Sequence, residues 1–233
     1  MAHPIETQRN LQEVAGVAGV VDAGNLVSLA TNAPEQARQD LLNSNLLAQL
    51  AADKRCSRFG QSADWYKFYG DTLSNLAWQV TSMAFTRYMP PGLQFNPREI
   101  ILAEMSRMVS PENVPLVRNA IDATNSLPTD ARPRMVLDQF SCTDHELNLQ
   151  VCFAKGASAI DIVCLVFATE ALIENPLTQE FEVSALKSDI RIARLSGAIN
   201  ERVYPMIRQS VIDKLGAKRE AYILPVEAGD ATT

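Results

Sequence analysis

The residues best suited to chemistry stand together in one short stretch, Cys142-Thr-Asp-His145. Their thiol, carboxylate and imidazole groups are of the types that bind zinc or act as nucleophile and base. Their spacing matches no zinc pattern, however, and the one other histidine, His3, lies in a polar N-terminal arm. Cys142, Asp144 and His145 are therefore weak candidates for a metal site, and a polar turn before a strand explains them as well. We predict no metal, no cofactor and no catalytic residue.

Motifs for the commoner kinds of catalysis and nucleotide binding do not occur in the sequence. It contains no Walker loop, no GxGxxG, no GxSxG and no HExxH. Two histidines in 233 residues also leave few options for general acid–base catalysis. An enzyme of unknown class is therefore the last of three functional hypotheses.

Composition is typical of a folded globular domain and argues against a nucleic-acid partner. Hydrophobic residues make up 47% of the chain and charged residues 21%, so 233 residues can bury a core without staples. The net charge of −6 has the wrong sign for neutralising phosphates. The four cysteines form no CxxC pair, and we expect them to be reduced.

An apolar stretch from residue 14 to residue 30 follows the N-terminal arm. A transmembrane helix needs about 20 apolar residues, so this stretch is too short, and glycines interrupt it. It is either a core element, helix or strand, that packs closely through small side chains or a segment that inserts into lipid. The residues in question are Val14, Gly16, Val17, Gly19, Val20 and Val21. No signal peptide precedes them, so we predict a protein that is cytoplasmic as synthesised; release without such a signal stays open.

Helical periodicity dominates residues 1–133 and predicts about four helices. Their starts offer capping side chains or first-turn prolines, at Asn32, Ser62 or Asp64, Asn96-Pro97 and Ser110-Pro111. Arg58 belongs to a basic cluster that fits the negative end of the first helix. Residues 78–88 alternate weakly and fit either more helix or an edge strand.

The hydrophobic period changes after Pro133 to the alternation of strands. The predicted strands are Met135–Phe140, Leu147–Phe153, Ile160–Ala168, Phe181–Leu195 and Ala221–Val226. Phe181–Leu195 forms either one long strand or two short ones. Ile160–Ala168 is apolar on both faces, so we place it at the centre of the sheet. Asn200 caps a clear helix over residues 201–215.

A glycine-containing turn joins two of these strands into a hairpin near residues 156–160. Residues at equal distances from the centre of such a turn face each other across the hairpin. The turn therefore predicts that Cys152 and Cys164 lie directly opposite each other, where they could form a cross-strand pair. Both belong to apolar strand patterns, in which cysteine acts as a small hydrophobic residue.

The pattern as a whole predicts an α+β fold. A helical N-terminal half (1–133) packs on a mainly antiparallel sheet from the C-terminal half (134–233), which ends in a helix followed by a last strand. The amphipathic helices need the second face of the sheet as a partner, so the two halves share one core.

Two functional hypotheses precede the enzyme. The first is a non-catalytic interaction or self-assembling structural protein that binds a protein partner or itself. The alternative is a membrane-active toxin of the pore-forming or insecticidal type, soluble until it meets its target membrane. The apolar stretch 14–30 and the doubly apolar strand Ile160–Ala168 favour this alternative, with a lipid membrane as the partner.

Overall fold

The computed structural model describes residues 17–30, 33–81, 84–156 and 158–227. The elements of the first part are β1 (Val17–Asp22), β2 (Asn25–Leu29), α1 (Glu35–Arg55), α2 (Ser62–Asn75), β3 (Trp78–Val80), β4 (Thr86–Tyr88), β5 (Gln94–Phe95), α3 (Pro97–Met105), α4 (Val114–Ser126) and α5 (Arg132–Ser141). The elements that follow are β6 (Glu146–Lys155), β7 (Ala159–Ala168), β8 (Phe181–Glu182), β9 (Ile190–Ile199), α6 (Tyr204–Leu215), α7 (Lys218–Tyr222) and β10 (Ile223–Glu227).

Eight of these strands form one mixed sheet. Its order is β10-β1-β2-β6-β7-β9-β3, with β4 also paired to β9, while β5 and β8 form a small sheet of their own. Every neighbouring pair in the large sheet is antiparallel except β2–β6, which is parallel. The sheet therefore consists of two antiparallel units joined by one parallel ladder. We call them the outer unit (β10, β1, β2) and the long-strand unit (β6, β7, β9).

Helices cover both faces of this sheet, and each face has its own apolar cluster. Side chains of α1, α2 and α6 pack on one face, and side chains of α3, α4 and α5 pack on the other. Because successive strand residues point to opposite faces, β6 contributes to both clusters. Leu149 and Val151 face α3–α5, whereas Cys152 and Ala154 face α1 and α2. The molecule is thus a three-layer sandwich with the sheet in the middle.

The predicted α+β fold class is confirmed. Most helices precede the long strands, and α6 is followed by the last strand, β10. The sheet is mixed rather than strictly antiparallel, because β2 runs parallel to β6. None of the helices in the described ranges is long and apolar enough to cross a membrane.

One predicted strand is wrong, and the other predicted strands are confirmed in whole or in part. Met135–Phe140 is helical and belongs to α5, in which Val136 and Leu137 are buried and Met135 is exposed. A short apolar run does not distinguish a helix from a strand.

The strand alternative for residues 78–88 is confirmed, because they contain β3 and β4, which both pair with β9. The two-strand alternative for Phe181–Leu195 is also confirmed, in β8 and β9. The predicted last strand is β10, which begins at Ile223 and lies beside β1 at the edge of the sheet, whereas Ala221 and Tyr222 belong to α7.

The described part of the 14–30 stretch is a β-hairpin, β1–β2. In β1, Val20 packs towards α1 and α2, and Val21 packs towards α4. Gly19 lies against α4, where an added Cβ would be 2.9 Å from the Cβ of Ala120. Val17 is partly buried, and Val14 and Gly16 lie outside the described residues.

Candidate functional site

A row of polar side chains crosses the sheet where the two units meet. Asp22 is paired in register with Asn25, and Asn25 with Gln150, so the three lie side by side on adjacent strands. All three are completely buried on the face covered by α1 and α2. With their neighbours they form a group that we call the polar seam, consisting of Asp22, Asn25, Asn45, Gln49, Arg58, Tyr66, Tyr69, Asn148 and Gln150.

At one end of the polar seam, α1 and α2 hold the carboxyl group of Asp22. Asn45 Nδ2 donates to Asp22 Oδ2, and the Tyr69 hydroxyl donates to Asn45 Oδ1 over 2.6 Å. Gln49 Nε2 donates to the backbone oxygen of Asp22 over 2.8 Å. Burial raises the pKa of Asp22 well above its ordinary value, although Asn45 and Arg58 act in the opposite direction. The carboxyl group therefore keeps its proton to a higher pH than an exposed aspartate does.

At the other end, α2 and the loop before it hold β6. The Tyr66 hydroxyl donates to Asn148 Oδ1 over 2.9 Å, and Asn148 Nδ2 donates to the Arg58 backbone oxygen over 2.6 Å. Burial raises the pKa of Tyr66 well above the ordinary tyrosine value. Burial likewise raises the pKa of the Cys164 thiol, whose sulfur is 3.8 Å from Asn148 Oδ1. Burial thus favours the neutral forms of Tyr66 and Cys164.

The middle of the polar seam is poorly satisfied. Among the described residues, both amide atoms of Asn25 and both of Gln150 have no hydrogen-bond partner, nor has Asp22 Oδ1. A buried polar group without a partner costs about 1–3 kcal/mol. A parallel ladder is also slightly weaker per residue than an antiparallel one. Both costs fall on the β2–β6 junction, so this junction is a weak line in the sheet.

Arg58 connects the two helical layers beside this junction. Its guanidinium group donates to Asp53 of α1 over 2.9 and 3.0 Å and lies 4.4 Å from the ring of Trp65 in α2. Its Nη1 donates over 3.0 Å to the backbone oxygen of Phe140, which belongs to α5 in the other layer. Arg58 is only 5% exposed. The sequence suggested a helix-end charge here, whereas the structure shows a buried connection between layers.

Arg58 reaches α5 because the turn between β1 and β2 contains a glycine. A Cβ on Gly24 would lie 1.9 Å from Arg58 Nη1 and 2.9 Å from the Phe140 oxygen. We expect Gly24→Ala to displace the guanidinium group and to lower the free energy of unfolding by about 1–3 kcal/mol, measured by urea denaturation. Gly70→Ala is the matched control, because nothing lies within 4 Å of a Cβ there. If Gly24→Ala lowered the free energy of unfolding by the same amount in an Arg58→Ala background, the displaced guanidinium group would not be the cause.

The sequence-predicted candidates for metal binding do not converge on one point. Cys142 Sγ donates to the Asp138 backbone oxygen over 3.4 Å, whereas His145 Nδ1 is 3.2 Å from the Ala171 oxygen. The Asp144 backbone oxygen accepts from the amide of Ile173, which lies in the loop after β7. Burial raises the pKa of Cys142 to about 12. The described ranges contain no cluster of three or more side chains of His, Cys, Asp or Glu that could hold a metal.

The predicted alignment of Cys152 with Cys164 is wrong. The register of the hairpin pairs Cys152 with Ile162 and Gln150 with Cys164, so the two cysteines are offset diagonally on one face. The pairing is centred one residue earlier than the sequence suggested, and each such shift moves a partner by two residues. All four cysteines of the chain are free thiols.

Comparison with solved structures gives distant likenesses, including a virulence factor and a delta-endotoxin. No family model and no curated protein sequence matches the chain. The Evf virulence factor is 9% identical, with a TM-score of 0.38 over 91% of this chain and 84% of that one. A delta-endotoxin is 9% identical, with a TM-score of 0.40 over 85% of this chain and 87% of that one. At these TM-scores the likeness carries no argument about function.

Proposed function

We propose that the protein is membrane-active and that its β6–β7 hairpin enters lipid after it separates from β2, at the β2–β6 junction, and from β9 on its other side. The observation that carries the proposal is the length and pairing of this hairpin. Each strand has ten residues, and the two pair along their full length, from Glu146 with Ala168 to Lys155 with Ala159. A strand of about 9–11 residues spans the hydrocarbon core of a bilayer.

The side chains of the hairpin suit this role. On β6 the side chains that face α3–α5 are apolar, namely Leu147, Leu149, Val151 and Phe153, and the opposite face carries Asn148 and Gln150. On β7 both faces are apolar over most of the strand. Once the helices that cover it move away, the hairpin therefore offers lipid an apolar surface that is interrupted by Asp161 near the turn.

The outer edges of the folded sheet oppose assembly by strand addition. Pro225 lies within β10 and has no N–H to offer an incoming strand. At the other edge, β3 and β4 are three residues long, and Pro90 and Pro91 follow β4. By contrast, β6 and β7 contain no proline. This contrast supports a protein whose strands associate with one another only after the junction opens. Such association is needed in lipid, because every backbone polar group there must be hydrogen-bonded within the protein.

A vesicle leakage assay tests the proposal. The full chain is added to vesicles of phosphatidylcholine and phosphatidylglycerol that contain a self-quenched dye, at a series of pH values. We expect release that increases with protein concentration. No release at micromolar protein at any pH would overturn the proposal.

A disulfide across the junction should block this activity. Val27 and Cys152 are buried register partners on the same face of β2 and β6. Neighbouring strands lie about 4.8 Å apart, within the Cα range of disulfides. We expect oxidised Val27→Cys to lose at least tenfold in leakage rate, because the hairpin cannot leave β2, and to regain it on reduction. The crosslink is verified by mass spectrometry.

The matched control carries Val27→Cys together with Cys152→Ser, which cannot form the bond. It should release dye at the same rate with and without reductant. If the oxidised, crosslinked protein released dye as fast as its reduced form, the hairpin would not leave the sheet at β2.

A further inference from the structure

An open cleft of about 570 Å³ lies between β4 and the segment that precedes β9. One wall is formed by Arg87, Tyr88, Met89 and Pro90, and the other by Val183, Leu186, Lys187, Ser188, Asp189 and Ile190. The cleft lies at the end of the sheet where β7 finishes, because the Lys187 amide donates to the Ala168 oxygen over 2.8 Å. It is therefore next to the base of the β6–β7 hairpin.

The loop at the rim of the cleft exposes large apolar side chains. Met89 is 75% exposed and Leu93 is 83% exposed, and the residues between them are two prolines and a glycine. The Leu93 backbone oxygen accepts from the Val183 amide over 2.8 Å, which holds the loop to the opposite wall. Exposed apolar side chains grouped at a cleft mark a surface that binds a partner.

The charges around the cleft indicate which partner it binds. Three charged residues line it, the cations Arg87 and Lys187 and the anion Asp189, and Arg87 Nη2 is 3.0 Å from Asp189 Oδ1. Because Arg87 and Asp189 form an ion pair, the lining has a net charge of +1, contributed by Lys187, in a chain whose net charge is −6. Tyr88 adds an aromatic ring of the type enriched at the boundary between lipid and water. Cations beside apolar and aromatic side chains complement the headgroup and boundary regions of an anionic bilayer.

We infer that this cleft is the surface through which the protein first binds an anionic phospholipid membrane. Lys187 and Arg87 contact the headgroups, while Met89 and Leu93 enter the boundary with the acyl chains. The inference rests on the proposed function and adds the place of contact. Binding here brings lipid to the base of the hairpin that is proposed to insert.

Vesicle sedimentation measures this binding separately from leakage. The full chain is mixed with phosphatidylcholine vesicles with or without phosphatidylglycerol. Each unit of charge near an anionic surface contributes about a factor of five, and Lys187→Glu changes the charge by two units, so it should lower binding to the anionic vesicles roughly 30-fold at low salt. That difference should shrink at high salt. Met89→Ser should lower binding about tenfold at either salt concentration, because its contribution is apolar.

Matched controls lie on other surfaces of the molecule. Lys218 and Met206 are also exposed, so Lys218→Glu and Met206→Ser make the same chemical changes elsewhere. They should leave vesicle binding unchanged. Wild-type binding by Lys187→Glu and Met89→Ser, or an equal loss in the controls, would overturn the inference. Normal cleft-dependent binding without dye release would overturn the proposed function and leave the inference standing.

Discussion

Arg58→Ala should lower the free energy of unfolding by about 3–5 kcal/mol, the largest loss that we expect from one substitution in this chain. The side chain is buried, and its removal leaves the Phe140 backbone oxygen without a donor and Asp53 without its cation, with the Trp65 Nε1 group as the remaining donor to that carboxylate. It also removes the stacked contact with Trp65. Urea denaturation monitored by tryptophan fluorescence and by circular dichroism measures the change.

Arg55→Ala is the matched control for this prediction. Arg55 is exposed three residues earlier in the chain, so its loss should change the free energy of unfolding by less than about 0.5 kcal/mol. Arg58→Lys should fall between the two, because lysine keeps the charge and cannot make the forked contact with Asp53. A loss below about 1 kcal/mol for Arg58→Ala would show that Arg58 does not connect the layers.

The stability advantage of Asp22→Asn over the wild type should grow as the pH rises. Burial raises the pKa of Asp22 in the folded protein. A carboxyl group whose pKa is raised in the folded state makes its full contribution to stability below the pKa that it has in the unfolded chain, about 4. This contribution is lost as the pH rises through the pKa that it has in the folded protein. The wild type therefore loses up to about 1.4 kcal/mol per pH unit relative to the variant across this window. The asparagine still offers Asn45 an acceptor, and it has no proton to lose.

Urea denaturation at a series of pH values measures this effect. The difference between Asp22→Asn and the wild type isolates the contribution of the Asp22 carboxyl group, because all other titrating groups are present in both proteins. Asp71→Asn on the exposed face of α2 is the control, and its difference from the wild type should not follow the same curve. A constant difference between Asp22→Asn and the wild type would contradict the raised pKa of Asp22.

A second loss of stability should begin at alkaline pH in both proteins. Burial raises the pKa values of Cys152 and Cys164 and of Tyr66 and Tyr69 on the same face. Exposed cysteine ionises at about pH 8.5 and exposed tyrosine at about pH 10. Above these pH values the unfolded or opened protein can ionise these groups while the folded protein cannot, so the folded state loses stability. If the junction opens during membrane insertion, the rate of dye release should rise over the same range.

The parts of the fold that depend on local pattern could be predicted from the sequence. Asn96 caps α3 as expected, since its side-chain oxygen accepts from the Arg98 amide. The Asn200 side-chain oxygen accepts from the Arg202 and Val203 amides in the turn before α6, which begins at Tyr204, three residues later than predicted. The β6–β7 hairpin and the central position of β7 follow from alternation and from apolar side chains on both faces. These features depend on residues close together in the chain, whose preferences the sequence shows directly.

Register and short apolar runs were harder to predict. The offset of Cys152 and Cys164 depends on how the turn closes, and a shift of one residue at its centre moves every partner by two. The helix α5 contains an apolar run too short to show its period. Its packing against β1 and β6 decides the conformation.

By itself, the sequence determined the α+β class, the cap of α3 and the hairpin of long strands, because local periodicity and capping chemistry express them. Only the tertiary structure decided that β2 pairs with β6 and that polar residues meet at that junction. Tyr66 lies 82 residues from its partner Asn148, and Arg58 lies 82 residues from Phe140. No local preference encodes such contacts, since each becomes favourable only when burial removes the alternative of bonding to water. The candidate site of this protein therefore lies in the connection between its layers.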